Sequence, residues 1–159
     1  MRIESKRLVV GGNVARFILM HTLAHSIIGQ WALDCGYPAA SLRERLYVGK
    51  EMAGILIYTA TSDSAGSLGG LIAQATAERL ESSLCEALLR ASWCSGDPLC
   101  IEAGLQGTDS LNLAACHACV LLPEVSCEEL NVFLDRGLLV GTPDQPDLGF
   151  FKELLEHGA

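Results

Sequence analysis

The stretch "LNLAACHACVLLPEVSCEELN", residues 111–131, contains three of the seven cysteines of this 159-residue chain, and two more lie shortly before it. The five follow the pattern C-x5-C-x15-C-x2-C-x7-C. In a reducing compartment clustered thiols favour a metal site over disulfides. Zinc bound by four thiolates is tetrahedral and has no position left for water. The candidate zinc ligands are Cys94, Cys100, Cys116, Cys119 and Cys127, and the sequence leaves open which four of them bind.

Two other interpretations of these thiols stand beside zinc. Free cysteines often act as small buried hydrophobes, and sets of four cysteines also hold iron–sulfur clusters. Cys35 and Cys85 are isolated from the cluster, and we predict that both lie in the core. A zinc deaminase needs H-x-E before its CxxC, and the chain has no H-x-E. We therefore expect a structural zinc site and no enzyme activity.

The local patterns around the cysteines predict helices. "LNLAACHACVLL" has no Gly or Pro, so we expect the CxxC to lie on a helix, with Cys116 and Cys119 on one side and His117 facing elsewhere. "SCEE", residues 126–129, fits a capping box. It predicts a helix from Cys127 to about Arg136, whose dipole would favour a thiolate at its first turn.

The rest of the chain alternates between helix and strand patterns. We predict a buried helix over residues 13–34 capped by Asn13, a strand over 54–62, a long helix from about 68 to 92, and a short closing helix in "FFKELLEHGA". "SLRERLYV", residues 41–48, fits either a strand or a short helical turn. The fold class expected is mixed α/β: helices and a small sheet, with a helical cysteine-rich zinc-binding lobe at about 93–136, in a single domain over 1–159.

The composition is apolar for a free-standing soluble protein. Half of the residues are hydrophobic and the mean hydropathy is +0.31, which suits a module with one flank buried against a larger chain. The longest uncharged apolar run, residues 17–33, contains two histidines and a glutamine, so it predicts a core helix and not a membrane span. The first residues have no apolar signal core, and we expect the cytoplasm.

Charge is distributed unevenly along the chain. The net charge is −8, and residues 91–135 contain seven acids and no Lys or Arg. Binding to nucleic acid depends largely on cations that neutralise phosphates, so the cysteine-rich lobe is not expected to contact a nucleic-acid backbone by itself. Direct nucleic-acid binding by the chain is an alternative hypothesis, and it would use a patch formed by seven of the cations outside the lobe: Arg2, Lys6, Arg7, Arg16, Arg43, Arg45 and Lys50.

A histidine pair gives a second candidate site. His21 and His25 are spaced i, i+4, which allows two imidazoles to share a metal on one helix face. Interior histidines satisfied by hydrogen bonds are the favoured explanation of the pair, because buried polar groups normally find hydrogen-bond partners. The alternative function is a small metalloenzyme that uses this pair, with an acid such as Asp63. The chain has neither G-x-x-x-x-G-K-[ST] nor G-x-G-x-x-G, so it has no ATP-binding motif.

Four stretches together carry a family resemblance: "HTLAHSIIGQWALDCGYPAASLRERLYV", "GILIYTATSDSAGSLGGL", "WCSGDPLC" and "LNLAACHACVLLPEVSCEELNVFLDRGLLVG". Over about residues 14–151 the chain resembles the zinc-binding domain at the C-terminus of Mrf-type DEXH helicases. It is most similar to the branch that serves DISARM anti-phage defence. The combination of stretches is far more specific than any one of them.

The resemblance implies a cofactor and partners. It implies Zn²⁺ bound by four of the five clustered cysteines. It also implies a C-terminal part of a longer protein, with the helicase lobes of that parent chain or a helicase subunit as partners, and DNA contacted through the assembled complex. The sequence lacks the helicase lobes of the resembled proteins, so it is either a C-terminal fragment or a stand-alone homologue, and ATPase activity is not carried over to it.

Overall fold

The structure is a computed structural model that describes residues 12–60 and 69–157. A long helix, α1 (Gly12–Cys35), runs through the centre. Apolar residues occupy nearly every face of its middle portion, which is buried on most sides. The predicted helix is confirmed, although Asn13 lies inside it and not at its cap. No helix in the described ranges is long and apolar enough to cross a membrane.

A β-hairpin packs against α1. Strands β1 (Leu42–Val48) and β2 (Ala53–Thr59) pair antiparallel, with Leu42 opposite Thr59. Residues 42–48 of "SLRERLYV" therefore form a strand, as one of the two interpretations predicted, and Ser41 ends a 3-10 turn, Ala39–Ser41. Side chains alternate between the two faces, so that Leu42 and Glu44 are buried against the helix while Arg43 and Arg45 are exposed. The predicted end of the second strand, residues 61–62, lies outside the described residues.

The long helix predicted over 68–92 is two helices. These are α2 (Gly69–Ala73) and α3 (Ala77–Ala91), and residue 68 lies outside the described part. Apolar spacing continues across the break, which is why the sequence predicted one helix. The break comes from backbone hydrogen bonds of turn type, in which Gln74 N–H donates to Leu71 O and Ala75 N–H donates to Ile72 O.

Two short helices follow the cysteine-rich segment, α4 (Gly137–Val140) and α5 (Lys152–His157). The second confirms the predicted closing helix. Two apolar clusters pack the other elements of the fold against α1. One is centred on Ile27, Ile28, Trp31, Tyr37 and Leu42, and the other on Leu88, Ala91 and Leu139.

The cysteine-rich segment is built from turns and short 3-10 turns, and the two helices predicted within residues 93–136 are wrong. The carbonyl oxygen of Ala114, which a helix over the CxxC would use, accepts Arg136 N–H instead, and Leu113 N–H donates to Leu134 O. The capping box also fails, because Leu130 and Asn131 have left-handed φ values of 51° and 62°. Helices with a two-stranded antiparallel sheet confirm the mixed α/β class.

Candidate metal centres

Four cysteine sulfurs converge at one point of the segment. Those of Cys94, Cys100, Cys116 and Cys119 all lie within 4.8 Å of one another. The Sγ–Sγ distances are 3.5 Å between Cys94 and Cys116, 3.8 Å between Cys100 and Cys119, and 3.7 Å between Cys116 and Cys119. A tetrahedral zinc with bonds of about 2.3 Å separates its sulfurs by about 3.8 Å. The sulfurs are too far apart for disulfides, which are about 2.05 Å long, and the donor set fits zinc.

The first loop of this cluster is organised by one carboxylate. Asp97 accepts hydrogen bonds from the backbone N–H groups of Cys94, at 2.9 Å, and Ile101, at 3.1 Å. Cys100 N–H donates to Gly96 O at 2.9 Å, and Gly96 N–H donates to the sulfur of Cys94 at 3.3 Å. The turn-forming "SGDP" therefore brings both cysteines to the same side.

The second loop is a tight turn around the CxxC. The carbonyl oxygen of Cys116 accepts N–H groups from Cys119, Val120 and Leu121 at 3.1–3.2 Å, and Cys116 N–H donates to Cys119 Sγ at 3.2 Å. Both sulfurs thus face one side, as the helical prediction also required, but through a different backbone. His117 is exposed.

The thiols differ in acidity because their surroundings differ. Burial raises the pKa of Cys100 to about 11, and the neighbouring Cys116 adds to that. Burial also raises the pKa of Cys119. At Cys116 burial is outweighed by the backbone hydrogen bond from Ala118 and by the neighbouring thiols, so the pKa is lowered. A cation at this point would stabilise all four thiolates together.

One buried cation lies beside the thiol cluster. Arg136 has no exposed surface, donates from Nη1 to Ala91 O at 2.9 Å, and pairs through Nη2 with the carboxylate of Asp97. The guanidinium lowers the pKa of the Cys100 thiol and so partly offsets the effect of burial there. Sequence reasoning did not single out Asp97 or Arg136 as parts of the site.

Cys127 lies in a second group and not with the other four candidates. Its sulfur, the imidazoles of His21 and His25, and a carboxylate oxygen of Glu44 lie within 4.8 Å of one another, and all four residues are buried. His21 Nε2 is 3.0 Å from Glu44 Oε1 and 3.1 Å from Cys127 Sγ. Glu44 was missed in the sequence, although strand alternation puts it on the same face as Leu42.

Burial has opposite outcomes at the two acids of this second group. It disfavours the charged form of Glu44, but the imidazoles of His21 and His25 outweigh it, so the pKa of the carboxyl is lowered to about 2. Burial raises the pKa of the Cys127 thiol to about 12, and the charge of Glu44 contributes to that shift. The group therefore contains a fixed carboxylate next to a thiol that stays protonated without a cation.

The remaining sequence candidates are dispersed. Asp63 lies outside the described residues, as do the cations Arg2, Lys6 and Arg7. Cys35 is half-buried against the larger apolar cluster. Cys85 is half-buried beside leucines of α3 and α5. Both are thus at the edge of the core that was predicted for them.

The sequence also matches known proteins. It matches the family model of the MrfA Zn-binding domain over residues 23–120, a range that includes the four converging cysteines and ends before Cys127. Over 139 residues it is 43% identical to the DISARM protein DrmB of Bacillus paralicheniformis, an alignment that covers 87% of this chain and 25% of that protein. The chain therefore spans about a quarter of the length of this relative. Zinc is the cofactor that both the family and the four-sulfur cluster indicate, and the chain belongs to the MrfA Zn-binding domain family.

Proposed function

We propose that this chain is a non-catalytic, zinc-stabilised structural module of a longer, DISARM-type DNA defence protein that acts in the cytoplasm. Cys94, Cys100, Cys116 and Cys119 would hold the zinc. The observation that carries the proposal is the convergence of these four sulfurs from two loops. Four sulfur ligands close a tetrahedral ion, so zinc would supply folding free energy to a segment that has little regular structure of its own.

Metal analysis of single variants tests this ligand set. Cys94→Ser, Cys100→Ser, Cys116→Ser and Cys119→Ser should each remove one equivalent of zinc from the purified protein. Cys85→Ser is the matched control, because this half-buried cysteine lies in neither sulfur group, and it should keep the wild-type metal content. Retention of full zinc by the four ligand variants would overturn the assignment.

Docking onto the parent chain or a helicase subunit is supported by an apolar groove. It lies between the first half of α1, the β1–β2 turn and the segment before α5, and its walls include Leu19, Met20, Met52 and Phe150. Met52 and Phe150 are 55% and 70% exposed. Large exposed apolar surfaces of this kind mark interaction sites in soluble proteins.

Co-purification tests the docking. The chain would be co-expressed with the helicase lobes or helicase subunit of its own system, as wild type and with Met52→Ser plus Phe150→Ser. We expect the double variant to lose the partner while keeping its zinc. Leu33→Ser is the control, because Leu33 is 63% exposed at the other end of α1. Equal recovery of partner with all three proteins would refute docking through this groove.

Engagement of DNA is supported by the outer face of the hairpin. Arg43 lies opposite Tyr58 and Arg45 opposite Leu56, and all four side chains are exposed on this face, together with that of Tyr47. Aromatic rings that stack on bases, beside arginines that contact phosphates, are typical of single-strand binding surfaces. Glu128 reduces the free charge, because its carboxylate pairs with Arg45 at 3.2 Å.

Fluorescence anisotropy with a single-stranded oligonucleotide tests this face. Binding at low salt should weaken steeply as salt increases. Arg43→Ala and Tyr58→Ala should weaken it, whereas Arg79→Ala, which removes an exposed arginine from α3, should not. If the anisotropy of the assembled complex is insensitive to Arg43 and Tyr58, the DNA path does not use the hairpin.

A further inference from the structure

The second group of potential ligands is the most unusual polar feature away from the thiol cluster. It joins three parts of the chain: His21 and His25 on α1, Glu44 on β1, and Cys127 after a 3-10 turn. The first three are at most 1% exposed and Cys127 is 7% exposed. Four polar groups are rarely taken out of water together unless each one is paired.

The hydrogen bonds do not satisfy this group. His25 Nδ1 is 2.8 Å from Val120 O, and because a carbonyl oxygen only accepts, the ring carries a proton on Nδ1. In the neutral ring the other nitrogen, Nε2, then has no proton and can only accept a hydrogen bond through its lone pair. It faces Glu44 Oε1 at 3.4 Å and makes no hydrogen bond within the described residues. Two acceptors would thus face each other in a buried site, which calls for a positive charge between them.

The other carboxylate oxygen points to the same conclusion. Glu44 Oε2 is buried and has no hydrogen-bond partner in residues 12–60 and 69–157. A proton on His25 would satisfy the contact between His25 and Glu44 Oε1, but it would leave Oε2 without a partner. The sulfur of Cys127 contacts His21 Nε2 at 3.1 Å and accepts a hydrogen bond from Asn131 N–H at 3.2 Å. A metal ion would be shared by all four residues.

We propose that His21, His25, Glu44 and Cys127 form a second, buried metal site that takes zinc. Two imidazole nitrogens, one carboxylate oxygen and one thiolate are all zinc ligands, and together they complete a tetrahedron. Such an ion separates its ligand atoms by about 3.3–3.6 Å. The observed separations of 3.0, 3.1 and 3.4 Å are close to that.

The surroundings of His25 fit metal ligation as well. A ligating histidine normally donates its other ring N–H to a carbonyl or carboxylate, which fixes its orientation. The contact of His25 Nδ1 with Val120 O does this, and Val120 follows the CxxC of the first site directly. The two sites would therefore share one loop of backbone, with zinc bound on each side of it.

Four protein ligands in a buried place leave no position for a substrate or a water molecule. The second site would therefore be structural, in contrast to the catalytic pair suggested by the histidine spacing. Its effect would be to fasten α1, β1 and the cysteine-rich segment to each other. The inference stands apart from the proposed function, because the thiol cluster could bind zinc whether or not this second group does.

Metal stoichiometry with X-ray absorption at the zinc edge tests the proposal on the wild-type chain. Two equivalents of zinc are expected, with an average of roughly 2.5 sulfur and 1.5 nitrogen or oxygen ligands per ion, since five sulfurs and three lighter atoms are shared by two ions. A single equivalent with four sulfurs would overturn the second site and leave the first intact. No zinc at all would defeat the proposed function as well.

Variants then assign the second equivalent. Cys127→Ser, His25→Gln and Glu44→Gln should each release one equivalent and raise the average sulfur number, with the all-sulfur ion kept. Cys116→Ser should release the other equivalent and lower the sulfur number. If a variant fails to fold, the ligand numbers from the wild-type absorption spectrum still show whether the second site binds zinc. Two equivalents retained by all three variants of the second group would refute its assignment.

Discussion

Replacing the buried Arg136 by methionine should weaken the whole cysteine-rich segment. Its guanidinium connects the end of α3, through Ala91 O, to Asp97, and Asp97 in turn holds the backbone N–H groups of Cys94 and Ile101. Methionine keeps most of the apolar stem but removes the charge and every donor. The substitution therefore tests the polar connection and not the packing.

The structure sets the size of the effect. Removing one partner from a buried ion pair costs about 3–5 kcal/mol, because the other charge remains buried and uncompensated. The side chain of Asp97 is 20% exposed, so water can solvate part of its charge. We therefore expect Arg136→Met to lower the free energy of unfolding by an amount near the lower end of that range, about 3 kcal/mol. Zinc affinity should also fall, since a positive charge next to the thiolates is lost.

Urea unfolding at a fixed free zinc concentration measures this loss. Arg79→Met is the control, because that arginine is exposed on α3 and a surface change of this kind costs within about 0.5 kcal/mol. Asp97→Asn alone and combined with Arg136→Met closes a double-mutant cycle, in which the two losses should be far from additive. A loss under about 1 kcal/mol for Arg136→Met, with additive effects in the cycle, would refute the reasoning.

Three further outcomes follow from the same structure. Cys100, with a pKa of about 11, and Cys119, whose pKa is also raised by burial, keep their protons near pH 7 without metal. Zinc must displace those two protons when it binds. Its affinity should therefore fall at least about 100-fold for each unit by which the pH decreases between 8 and 6. Competition with a chelating dye would measure this. Leu88→Ala opens a cavity in the core and should lower the free energy of unfolding by about 2–5 kcal/mol. Leu89→Ala, at the exposed neighbouring position, should lower it by under about 0.5 kcal/mol. Equal urea midpoints for the two variants would contradict this. Removing zinc with a chelator should raise amide hydrogen exchange in residues 94–136 before it does so in α3, and unchanged exchange there would speak against a metal-dependent segment.

The elements that the sequence predicted correctly are those with a strong local period. The central helix has apolar residues on nearly all faces over more than five turns, and the closing helix has its own short pattern. The hairpin was half predicted, because "SLRERLYV" alternates but begins with a serine that would also cap a helical turn. Its pairing with β2 resolved the ambiguity through contacts that a single segment does not contain.

The cysteine-rich segment was predicted wrongly because its backbone bonds to distant residues. The side chain of Asn112 accepts Leu134 N–H and donates to Asn131 O, and Asn131 in turn binds both backbone groups of Leu122. Two asparagines thus take the place of a helical hydrogen-bond ladder. A sequence window around the CxxC shows no glycine or proline, but it does not show these partners either.

The sequence predicted which residue types form the candidate site, but it did not predict how these residues divide into two groups. Spacing alone put five thiols in one cluster, and the structure separates Cys127 from the other four. The histidine pair was noticed for its i, i+4 spacing, yet its acidic neighbour was sought at Asp63. The signal for Glu44 was present, since an acid between Leu42 and Leu46 on one face of a half-buried strand has to be compensated inside the protein.

The position of these polar contacts explains how a segment with little regular structure is held on the body of the domain. Its own apolar cluster is small, with Ala115, Val120 and Leu134 fully inside it. Apolar contacts of Leu122 and Phe133 attach it to α1 and its core. Polar contacts add to these: Asp135 N–H donates to Thr22 at 3.0 Å, and His25 and His21 contact Val120 O and Cys127. Hydrogen bonds of this kind contribute only about 0.5–1.5 kcal/mol each and depend on geometry more than apolar contacts do. Because of that dependence on geometry, the polar contacts need rigid loops, and zinc bound by the four converging sulfurs, as proposed above, would supply that rigidity.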